Sequence, residues 1–390
     1  MENYKYLIIG AGMAAAAAAH GIRELDPHGS IGLVGAENDL PYKRPWLSKN
    51  LWKGKPFDGV WSDLDGLGAS ITLGRKIVSL DPMLRIAQDQ TGDIYSGDRV
   101  LLATGATARR LPAMSDAFIF FRTLADYRAL RLASERGQNF IVIGGGFIGS
   151  EIAAALAMNG KKVTMLLREE GIGARIFPPD LSQFLNEFYR KKGVEVLPGE
   201  RFGKIEPYHD RYVLTAESGR GFVVDGVVAG LGVQLNTDLA VQANLKVNNG
   251  IVVDETLRTS HTAIYAAGDV AEFYNPALGK YIHVEHEDNA NAMGRQAGRN
   301  MAGAGEPYTY LPYFYSDLFE LGYEAVGELD SRLAMVSDWK EPFQKGVVSY
   351  LAEGRLRGVL LWNLWEQVPH ARTLIGEPGP FRFEESKEPD

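Results

Sequence analysis

The chain has 390 residues, of which 45% are hydrophobic and 23% charged, as in ordinary globular proteins. Its net charge of −8 disfavours a general nucleic-acid or anionic-membrane surface. The cysteine count is 0, which excludes disulfide frameworks, thiolate metal sites and flavin enzymes that relay electrons through a cysteine pair. No apolar run approaches ~20 residues, and the first predicted strand begins at about Tyr4. We therefore expect a cytoplasmic protein without a membrane span or signal peptide.

The first predicted elements form a strand, a glycine turn and a helix. An apolar run over residues 4–9 ends in Gly10-Ala11-Gly12, and a helical pattern follows over 13–25. In dinucleotide-binding units, such glycines permit a tight turn and close approach of a pyrophosphate to the helix N-terminus. After a strand over 31–34, Glu37 is positioned to bind a ribose hydroxyl; the alternative is a solvated loop glutamate.

The following segment, residues 40–49, is rich in turn-forming residues and then opens a helix. Arg44 and Lys49 lie on either side of Pro45 in this segment. Strands are predicted over 71–80 and 99–104, and Gly105 permits close approach of the backbone to a ligand.

A second glycine turn, Gly144 to Gly149, repeats the pattern. The apolar run 140–143 precedes Gly144 and Gly146, and an alanine-rich helix follows over 152–158. Phe147 lies inside the turn, where a ring can stack on nicotinamide; packing in the helix core is the alternative. Glu151 is placed in the first helical turn, where the helix dipole favours a carboxylate. Two such units predict two dinucleotides held face to face and chemistry between them.

The remaining elements complete an α/β chain. Helices are predicted over 126–135, 180–192 and 285–301, and strands over 162–167, 195–197, 211–216, 223–229 and 264–270. Asp269 follows Gly268 at a strand end, where α/β sheets bind ligands. From residue 307 the composition becomes aromatic and strand-like, and the charged tail from Glu377 is expected to be frayed.

These features give a three-domain prediction. A discontinuous Rossmann-like domain comprises residues 1–122 and 245–306, a second Rossmann-like domain comprises 123–244, and a smaller α+β domain comprises 307–390.

The motifs together resemble the two-dinucleotide flavoprotein superfamily. The glycine turns, Leu102-Ala103-Thr104-Gly105 and Gly268-Asp269 carry this likeness, and residues 40–49 resemble the flavin loop of the apoptosis-inducing-factor and ferredoxin-reductase branch. Residues 284–288, 315–327 and 346–369 are similar to the apoptosis-inducing-factor side. The likeness extends from Tyr4 to about Ile375.

The resemblance implies FAD in the first domain and NAD(P)H in the second. Its implied flavin contacts are Gly10, Gly12, Glu37, Arg44, Lys49, Arg122, Asp269 and His286. Its implied nicotinamide-cofactor contacts, beside the turn glycine Gly144, are Gly146, Phe147, Glu169, Arg175, Gly232, Glu285, Glu324 and Asn363. Tyr315 is expected near both rings, at a position where the family usually has tryptophan.

The implied catalytic residues are Lys49, Glu151, Phe147 and His286. The family arrangement pairs Lys49 beside flavin N5 with Glu151, which would stabilise anionic reduced flavin. A metal cluster of His286 with Glu285, Glu287 and Asp288 is conceivable, but the predicted helix favours cofactor binding and no metal is expected. The family's acidic pair has lost one member at Ala36-Glu37, and its long insertion near 337–345 is absent.

The resulting expectation is an FAD-dependent NAD(P)H oxidoreductase, favouring NADH, that transfers hydride to flavin N5 and then passes electrons to an acceptor. Glu169 should repel a 2′-phosphate, whereas Arg168 and Arg175 would attract one. Two alternatives stay open: an NADH-dependent ferredoxin or rubredoxin reductase, and a slow redox sensor whose reduced form changes oligomeric state. The acceptor is a small electron-transfer protein, a quinone or another small molecule, and a homodimer is left open.

Overall fold

The computed structural model describes residues 1–110 and 117–381, so most of the tail predicted to be frayed lies outside the described residues. The chain divides into two compact units. The first unit comprises Met1–Arg44, Pro56–Thr107 and Val233–Pro312; the second comprises Pro45–Lys55, Ala108–Gly232 and Tyr313–Asp390. The three-domain boundaries given above stay a prediction.

Seven α-helices are found in the described residues. They are α1 Met13–Leu25, α2 Leu124–Arg136, α3 Phe147–Met158, α4 Pro179–Lys191, α5 Asp238–Gln242, α6 Glu287–Met301 and α7 Val368–Leu374. Local sequence explains several of their ends. Thr123 and Asp126 form a capping box at the start of α2, and Pro179 occupies the first turn of α4, where its missing N–H costs nothing.

The strands are short and numerous. Those in the first half of the described chain are β1 Glu2–Ile9, β2 Ile31–Val34, β3 Ser70–Thr72, β4 Ile77–Asp81, β5 Ile86–Asp89, β6 Ile94–Leu102, β7 Ala106–Ala108, β8 Phe118–Ile119, β9 Asn139–Ile143, β10 Lys162–Leu167, β11 Val194–Pro198, β12 Phe202–Tyr208 and β13 Arg211–Ala216. The others are β14 Gly221–Val224, β15 Gly226–Ala229, β16 Val233–Leu235, β17 Ile251–Val252, β18 Ile264–Ala266, β19 Ala271–Asn275, β20 Lys280–Ile282, β21 Tyr313–Leu318, β22 Leu321–Gly327, β23 Ala334–Glu341, β24 Lys345–Ala352 and β25 Arg355–Trp362.

The first unit is built on a seven-stranded sheet. Its order is β3-β2-β1-β6-β5-β4, and β18 pairs with β6. The pairs around β1 are parallel, whereas β4, β5 and β6 pair antiparallel. The C-terminal halves of β1 and β6, together with β2 and β18, are apolar and buried because both faces of the sheet are covered there, and α1 packs closely against α6 over this core.

The second unit contains three sheets. The order of its five-stranded parallel sheet is β11-β10-β9-β15-β8. Strands β12, β13 and β14 form an antiparallel sheet, and β21-β22-β25-β24-β23 form a five-stranded antiparallel sheet. The predicted α/β class, with two Rossmann-like sheets and a C-terminal α+β part, is confirmed.

Two of the predicted strands are wrong in extent. Residues 71–80 contain two strands, β3 and β4, which belong to opposite edges of one sheet. Residues 223–229 likewise divide between β14 and β15, which belong to different sheets. Charged residues mark both breaks, Arg75 and Lys76 in the first and Asp225 in the second, but an isolated charge also occurs within exposed strands, so it does not show that the two halves join different partners. Strand β12 was not predicted.

Other boundaries also need correction. The strand predicted over 264–270 ends at Ala266, so Asp269 lies in the turn beyond it. Helix α6 begins at Glu287, so Glu285 precedes it and His286 is its N-cap rather than an internal residue. The helix predicted to open within 40–49 is only a 3-10 turn, Arg44–Leu47. None of the described helices is long and apolar enough to cross a membrane.

Candidate functional site

The glycine turn of the first unit joins β1 to α1. Gly10 has a φ of +123°, and a Cβ at this residue would lie 2.2 Å from the Ala103 carbonyl oxygen. Both the backbone conformation and the close approach of the chain beyond β6 therefore require glycine. Ala15, in the third glycine position of the motif, is fully buried.

The glycine turn of the second unit joins β9 to α3. Gly144 has a φ of +103°, and its Cβ position lies 2.5 Å from the Gly230 carbonyl oxygen. Gly149 packs against the same turn, because a Cβ there would lie 2.0 Å from the Gly144 carbonyl oxygen. Helix α3 therefore lies close to its strand in a way that alanine would prevent.

Gly12 and Gly146 are glycines for another reason. Each is the N-cap of its helix in an extended conformation, with φ of −98° and −79° respectively, which any residue adopts. A Cβ on Gly146 would meet no described heavy atom within 4 Å, and one on Gly12 only the Arg44 guanidinium at 4.0 Å. Neither helix has an acidic residue in its first turn. These helix N-termini therefore fit the pyrophosphates of two dinucleotides, whose close approach a Cβ would obstruct.

Glu37 lies in the loop beyond β2 and is held by two partners. The Tyr42 hydroxyl donates to Glu37 Oε2 at 2.6 Å, and the Arg44 guanidinium binds Oε1. Burial acts to lower the pKa of Arg44, but the charges of Tyr42 and Glu37 outweigh it and raise that pKa. The structure thus brings Glu37 and Arg44, both predicted to contact flavin, into one ion pair.

Glu169 follows β10 in the second unit, as Glu37 follows β2 in the first. Arg175 donates to Glu169 Oε1 through Nε at 2.9 Å and through a terminal nitrogen at 2.6 Å. The Arg175 side chain is 77% exposed, so this ion pair contributes little to stability. It nevertheless places a carboxylate and a guanidinium together where the adenosine ribose is predicted.

A buried polar network surrounds Glu151. Its Oε1 accepts from Lys49 Nζ at 2.7 Å and from Ser316 Oγ at 2.6 Å, and its Oε2 accepts from Ser48 Oγ at 2.6 Å. All four residues are at least nine-tenths buried. Glu151 is the fifth residue of α3 rather than part of its first turn. The prediction that the helix dipole stabilises Glu151 is therefore wrong. The Lys49 ammonium and the two serine hydroxyls stabilise its carboxylate instead.

Aromatic rings line the same network. Lys49 Nζ lies 5.0 Å from the centroid of the Tyr315 ring, a cation–π contact. Phe147 is the first residue of α3, and its ring packs edge-on against Phe314 at 5.3 Å. Four of the predicted site residues, Lys49, Phe147, Glu151 and Tyr315, are thus brought into one region of the second unit.

Glu324 lies opposite Tyr315 on the neighbouring strand, in the register of β21 and β22. Its Oε2 is buried and has no hydrogen-bond partner among the described residues. Burial raises the pKa of this carboxyl, against the effect of a backbone hydrogen bond from Glu366. A buried oxygen of this kind is costly unless a ligand supplies a donor.

Asn363 has a different environment. Its backbone φ is +50°, its Oδ1 accepts from the Gly322 backbone N–H at 2.7 Å, and its Nδ2 donates to the Gln344 carbonyl at 2.6 Å. Both ends of the amide therefore hold neighbouring strands together.

The other predicted residues occupy turns and helix ends. Arg122 precedes α2, and its backbone N–H donates to Asp126. Gly232 has a φ of +82° and accepts a backbone hydrogen bond from Arg109. Asp269, Glu285 and His286 lie in the first unit, where His283 Nε2 is 3.2 Å from Glu285 Oε1. That hydrogen bond raises the pKa of His283 although burial opposes it.

Sequence reasoning missed Ser48 and Ser316. A usable signal existed, because each hydroxyl residue is the immediate neighbour of a predicted site residue, Lys49 or Tyr315. The described residues contain no group of three or more His, Cys, Asp or Glu side chains arranged to hold a metal ion.

Comparison with known proteins agrees with this architecture. The family model for pyridine nucleotide-disulphide oxidoreductases matches residues 4–295. The model for the C-terminal part of mitochondrion-associated apoptosis-inducing factor matches residues 297–342 and 337–377.

Individual relatives point the same way. Mitochondrial apoptosis-inducing factor 1 of Dictyostelium discoideum is 32% identical, with 96% of this chain and 79% of that protein covered. The ferredoxin–NAD(+) reductase component of the anthranilate 1,2-dioxygenase system of Burkholderia cepacia is 31% identical, covering 96% and 95%. The reductase in the covalent putidaredoxin reductase–putidaredoxin complex superposes with a TM-score of 0.90 at 28% identity, covering 98% and 94%. The chain therefore belongs to the pyridine nucleotide-disulphide oxidoreductase family, as an apoptosis-inducing-factor-like member of its ferredoxin-reductase branch.

Proposed function

We propose that this protein is an FAD-dependent NADH oxidoreductase that delivers electrons to a small iron–sulfur or rubredoxin-like carrier protein. The observation that carries the proposal is the pair of N-cap glycines, Gly12 and Gly146, whose Cβ positions are open although their backbones do not require glycine. One such helix end stands in each unit. Two anionic dinucleotides are the ligands that this duplication fits.

Within the first unit, FAD is the dinucleotide assigned to α1. Gly12 and the first N–H groups of α1 bind its pyrophosphate, and Gly10 makes the turn. Glu37, held by Arg44 and Tyr42, binds the ribose. Asp269 and His286 complete the set from the turn beyond β18 and from the N-cap of α6.

Within the second unit, NADH is the dinucleotide assigned to α3. Gly146 and the first N–H groups of α3 bind the pyrophosphate, Gly144 makes the turn, and Glu169 binds the ribose. Phe147 and Tyr315 present aromatic faces, and the buried Oε2 of Glu324 accepts from a donor of the ligand. The cofactors supply the redox chemistry, hydride from NADH and acceptance of it by flavin. The chain supplies orientation and the charged pair Lys49–Glu151.

The carrier-protein acceptor is proposed from the relatives. Three of them are a ferredoxin–NAD(+) reductase component, a rubredoxin–NAD(+) reductase and a putidaredoxin reductase, at 30–31% identity to this chain. The absence of cysteine removes a disulfide centre, so electrons pass directly from flavin to the acceptor.

Anaerobic reduction followed by an acceptor screen tests the proposal. The purified protein should carry FAD, and one equivalent of NADH should bleach it. The reduced protein should then reduce a [2Fe–2S] ferredoxin and a rubredoxin much faster than a quinone, with ferricyanide as the positive control and FAD-free protein as the blank. Folded protein that does not take up FAD, or flavin that NADH leaves oxidised, would overturn the oxidoreductase assignment. A quinone as the fastest acceptor would overturn the carrier assignment alone.

The preference for NADH is proposed from the Glu169–Arg175 pair. Glu169 disfavours a 2′-phosphate, and Arg175 is bound to that carboxylate rather than displayed as an isolated cation. Glu169→Ala should lower the ratio of flavin reduction by NADH to that by NADPH, whereas Arg175→Ala should leave this ratio unchanged or raise it. Comparing flavin reduction by NADH and NADPH in both variants measures this, and a ten-fold advantage of NADPH in the wild type would reverse the assignment.

A further inference from the structure

The hydroxyls of Ser48 and Ser316 donate to different oxygens of the Glu151 carboxylate. Ser316 donates to Oε1 at 2.6 Å, on the same oxygen as Lys49, and Ser48 donates to Oε2 at 2.6 Å. Because the two serines bind different oxygens, rotation of the carboxylate about its last bond would break at least one of these hydrogen bonds. The orientation of the carboxylate is therefore fixed by the two serine hydroxyls as well as by the ion pair with Lys49.

Burial makes these hydrogen bonds consequential. Glu151 is 4% exposed and Ser316 is 0% exposed. A buried carboxylate facing one ammonium repays its desolvation only when further donors satisfy its remaining lone pairs. Two buried phenols flank the network: the Tyr323 side chain hydrogen-bonds Ser316, and the Tyr189 hydroxyl donates to the Ser150 carbonyl. Burial, and then the charge of Glu151, raise the pKa of both Tyr189 and Tyr323 well above the usual tyrosine value, so both flanking phenols stay neutral.

The network also joins three separate stretches of the second unit. Ser48 and Lys49 are consecutive residues of the segment Pro45–Lys55, Glu151 lies on α3, and Ser316 follows Tyr315 on β21. Each serine thus connects Glu151 to the chain segment that carries another proposed site residue. A change in either hydroxyl moves the charge of Glu151 relative to Lys49 and to the Tyr315 ring, 5.0 Å from Lys49 Nζ.

We propose that Ser48 and Ser316 are positioning residues, which hold the Glu151 carboxylate so that the Lys49 ammonium is set for flavin reduction by NADH. The inference rests on the proposed function. Without Ser48, Oε2 loses its hydroxyl donor; without Ser316, Oε1 keeps Lys49 but loses its second donor. In either case the carboxylate attracts Lys49 more strongly and carries more uncompensated negative charge in a buried region. Both effects disfavour adding electrons to the flavin.

The sheet that carries Ser316 also provides a matched control. Ser349 on β24 is 0% exposed, and its hydroxyl donates to the Phe381 carbonyl at 3.0 Å. Ser349→Ala therefore removes an equally buried serine hydroxyl whose hydrogen bond does not involve Glu151. It separates a general cost of deleting a buried hydroxyl from an effect transmitted through the carboxylate.

The experiment compares Ser48→Ala, Ser316→Ala, Ser316→Thr and Ser349→Ala in the full-length protein with FAD bound. Stopped-flow reduction by NADH and the flavin midpoint potential are measured for each. Ser48→Ala and Ser316→Ala should each slow reduction about ten-fold and lower the reduction equilibrium constant about ten-fold, which is about 30 mV for a two-electron couple. Ser316→Thr, which keeps the hydroxyl, should restore most of both values, and Ser349→Ala should match the wild type.

A double-mutant cycle supplies a readout that does not depend on bound cofactor. Denaturant unfolding of FAD-free protein is measured for Ser316→Ala, Glu151→Gln and the double variant. If Ser316 acts through the carboxylate, the Ser316→Ala effect should shrink markedly in the Glu151→Gln background, in unfolding as in reduction rate. Additive effects, or a Ser316→Ala protein that behaves like Ser349→Ala, would overturn the positioning role. Wild-type flavin that NADH does not bleach would instead overturn the proposed function and the role resting on it.

Discussion

Helices α1 and α3 begin at equivalent glycine turns and both bury alanines, yet of the two only α3 buries a charged side chain. Helix α1 buries alanines, and Gly294 and Gly298 of α6 approach its backbone so closely that added Cβ atoms would lie 2.3 and 2.0 Å from the carbonyl oxygens of Ala14 and Ala18. Helix α3 also buries alanines, but in addition it buries Glu151 against an ammonium and two hydroxyls. The glycine turn provides the proposed phosphate-binding end, while the residues of the next two turns decide whether a buried ion pair is added to the apolar packing.

The polar anchorage of α3 should show the largest effect on stability. Glu151→Ala leaves Lys49 buried without its counter-charge, and breaking a buried pair from one side costs about 3–5 kcal/mol. Denaturant unfolding should report a loss of that size. Glu187→Ala, which removes the exposed partner of Arg190 on α4, should cost under ~0.5 kcal/mol. Equal losses in the two variants would mean that the buried pair is no more important than a surface pair.

The apolar anchorage of α1 can be broken by a single methyl group. Gly298→Ala places its Cβ against the Ala18 carbonyl and must separate α1 from α6, an overpacking cost of about 1–3 kcal/mol. The loss should appear although alanine is the better helix former. Gly221→Ala is the control, since a Cβ there meets nothing within 4 Å. A Gly298→Ala protein at least as stable as the wild type would contradict close packing of these helices.

The N-cap glycines of the two turns, Gly12 and Gly146, should affect dinucleotide binding without affecting folding. Gly146→Ala is sterically tolerated, so unfolding free energy should stay level or rise slightly, as compatible Gly→Ala changes do. The NADH dissociation constant should rise about ten-fold, or ~1.4 kcal/mol, while FAD stays bound. Gly12→Ala should have the opposite selectivity: it should weaken FAD retention and leave the NADH-binding turn intact. Unchanged NADH affinity in Gly146→Ala would contradict the proposal that the N-terminus of α3 binds the NADH pyrophosphate.

Lys49 tests what the buried charge does for redox chemistry. Lys49→Ala removes a cation predicted to stabilise anionic reduced flavin, so the flavin potential should fall by about 30 mV, the equivalent of ~1.4 kcal/mol in a two-electron couple. FAD should stay bound. Spectroelectrochemical titration measures the potential, with Lys53→Ala as the control, because Lys53 lies on the same segment but pairs with Asp317 at 2.6 Å at a more exposed position. A Lys49→Ala potential equal to the wild-type value would refute the role of Lys49.

The smallest effect concerns Glu324, a carboxylate in the second unit that lacks the donors of Glu151. Because burial raises the pKa of its carboxyl, the folded chain holds this proton more tightly than the unfolded chain does, and that contribution to stability is lost as pH rises through the raised pKa. At acidic pH, Glu324→Gln should therefore have the same stability as the wild type. Above the raised pKa, the variant should be slightly more stable, as measured without NADH. Thermal unfolding from pH 4 to 8 measures this, with exposed Glu341→Gln as control. A stability difference that does not change with pH would contradict the raised pKa.

The sequence alone determined the elements with strong local signals. The bounds of α1, β2, β10 and β13 agree with prediction because each is a mainly apolar or alanine-rich run bounded by turn-forming or charged residues. Both glycine turns and the fold class were also readable. The strands over 71–80 and 223–229 were not, since breaks between apolar runs depend on which sheet each half joins.

Tertiary structure alone decided how the charged residues are used. Ser48 and Ser316 are separated from Glu151 by 103 and 165 positions, so no local periodicity relates them. The same holds for the grouping of Pro45–Lys55 with the second unit and for the partnerless Oε2 of Glu324 among the described residues. Periodicity reports which face of an element is buried; which polar atoms meet inside depends on packing between distant segments, where a hydrogen bond requires a fit within a few tenths of an ångström.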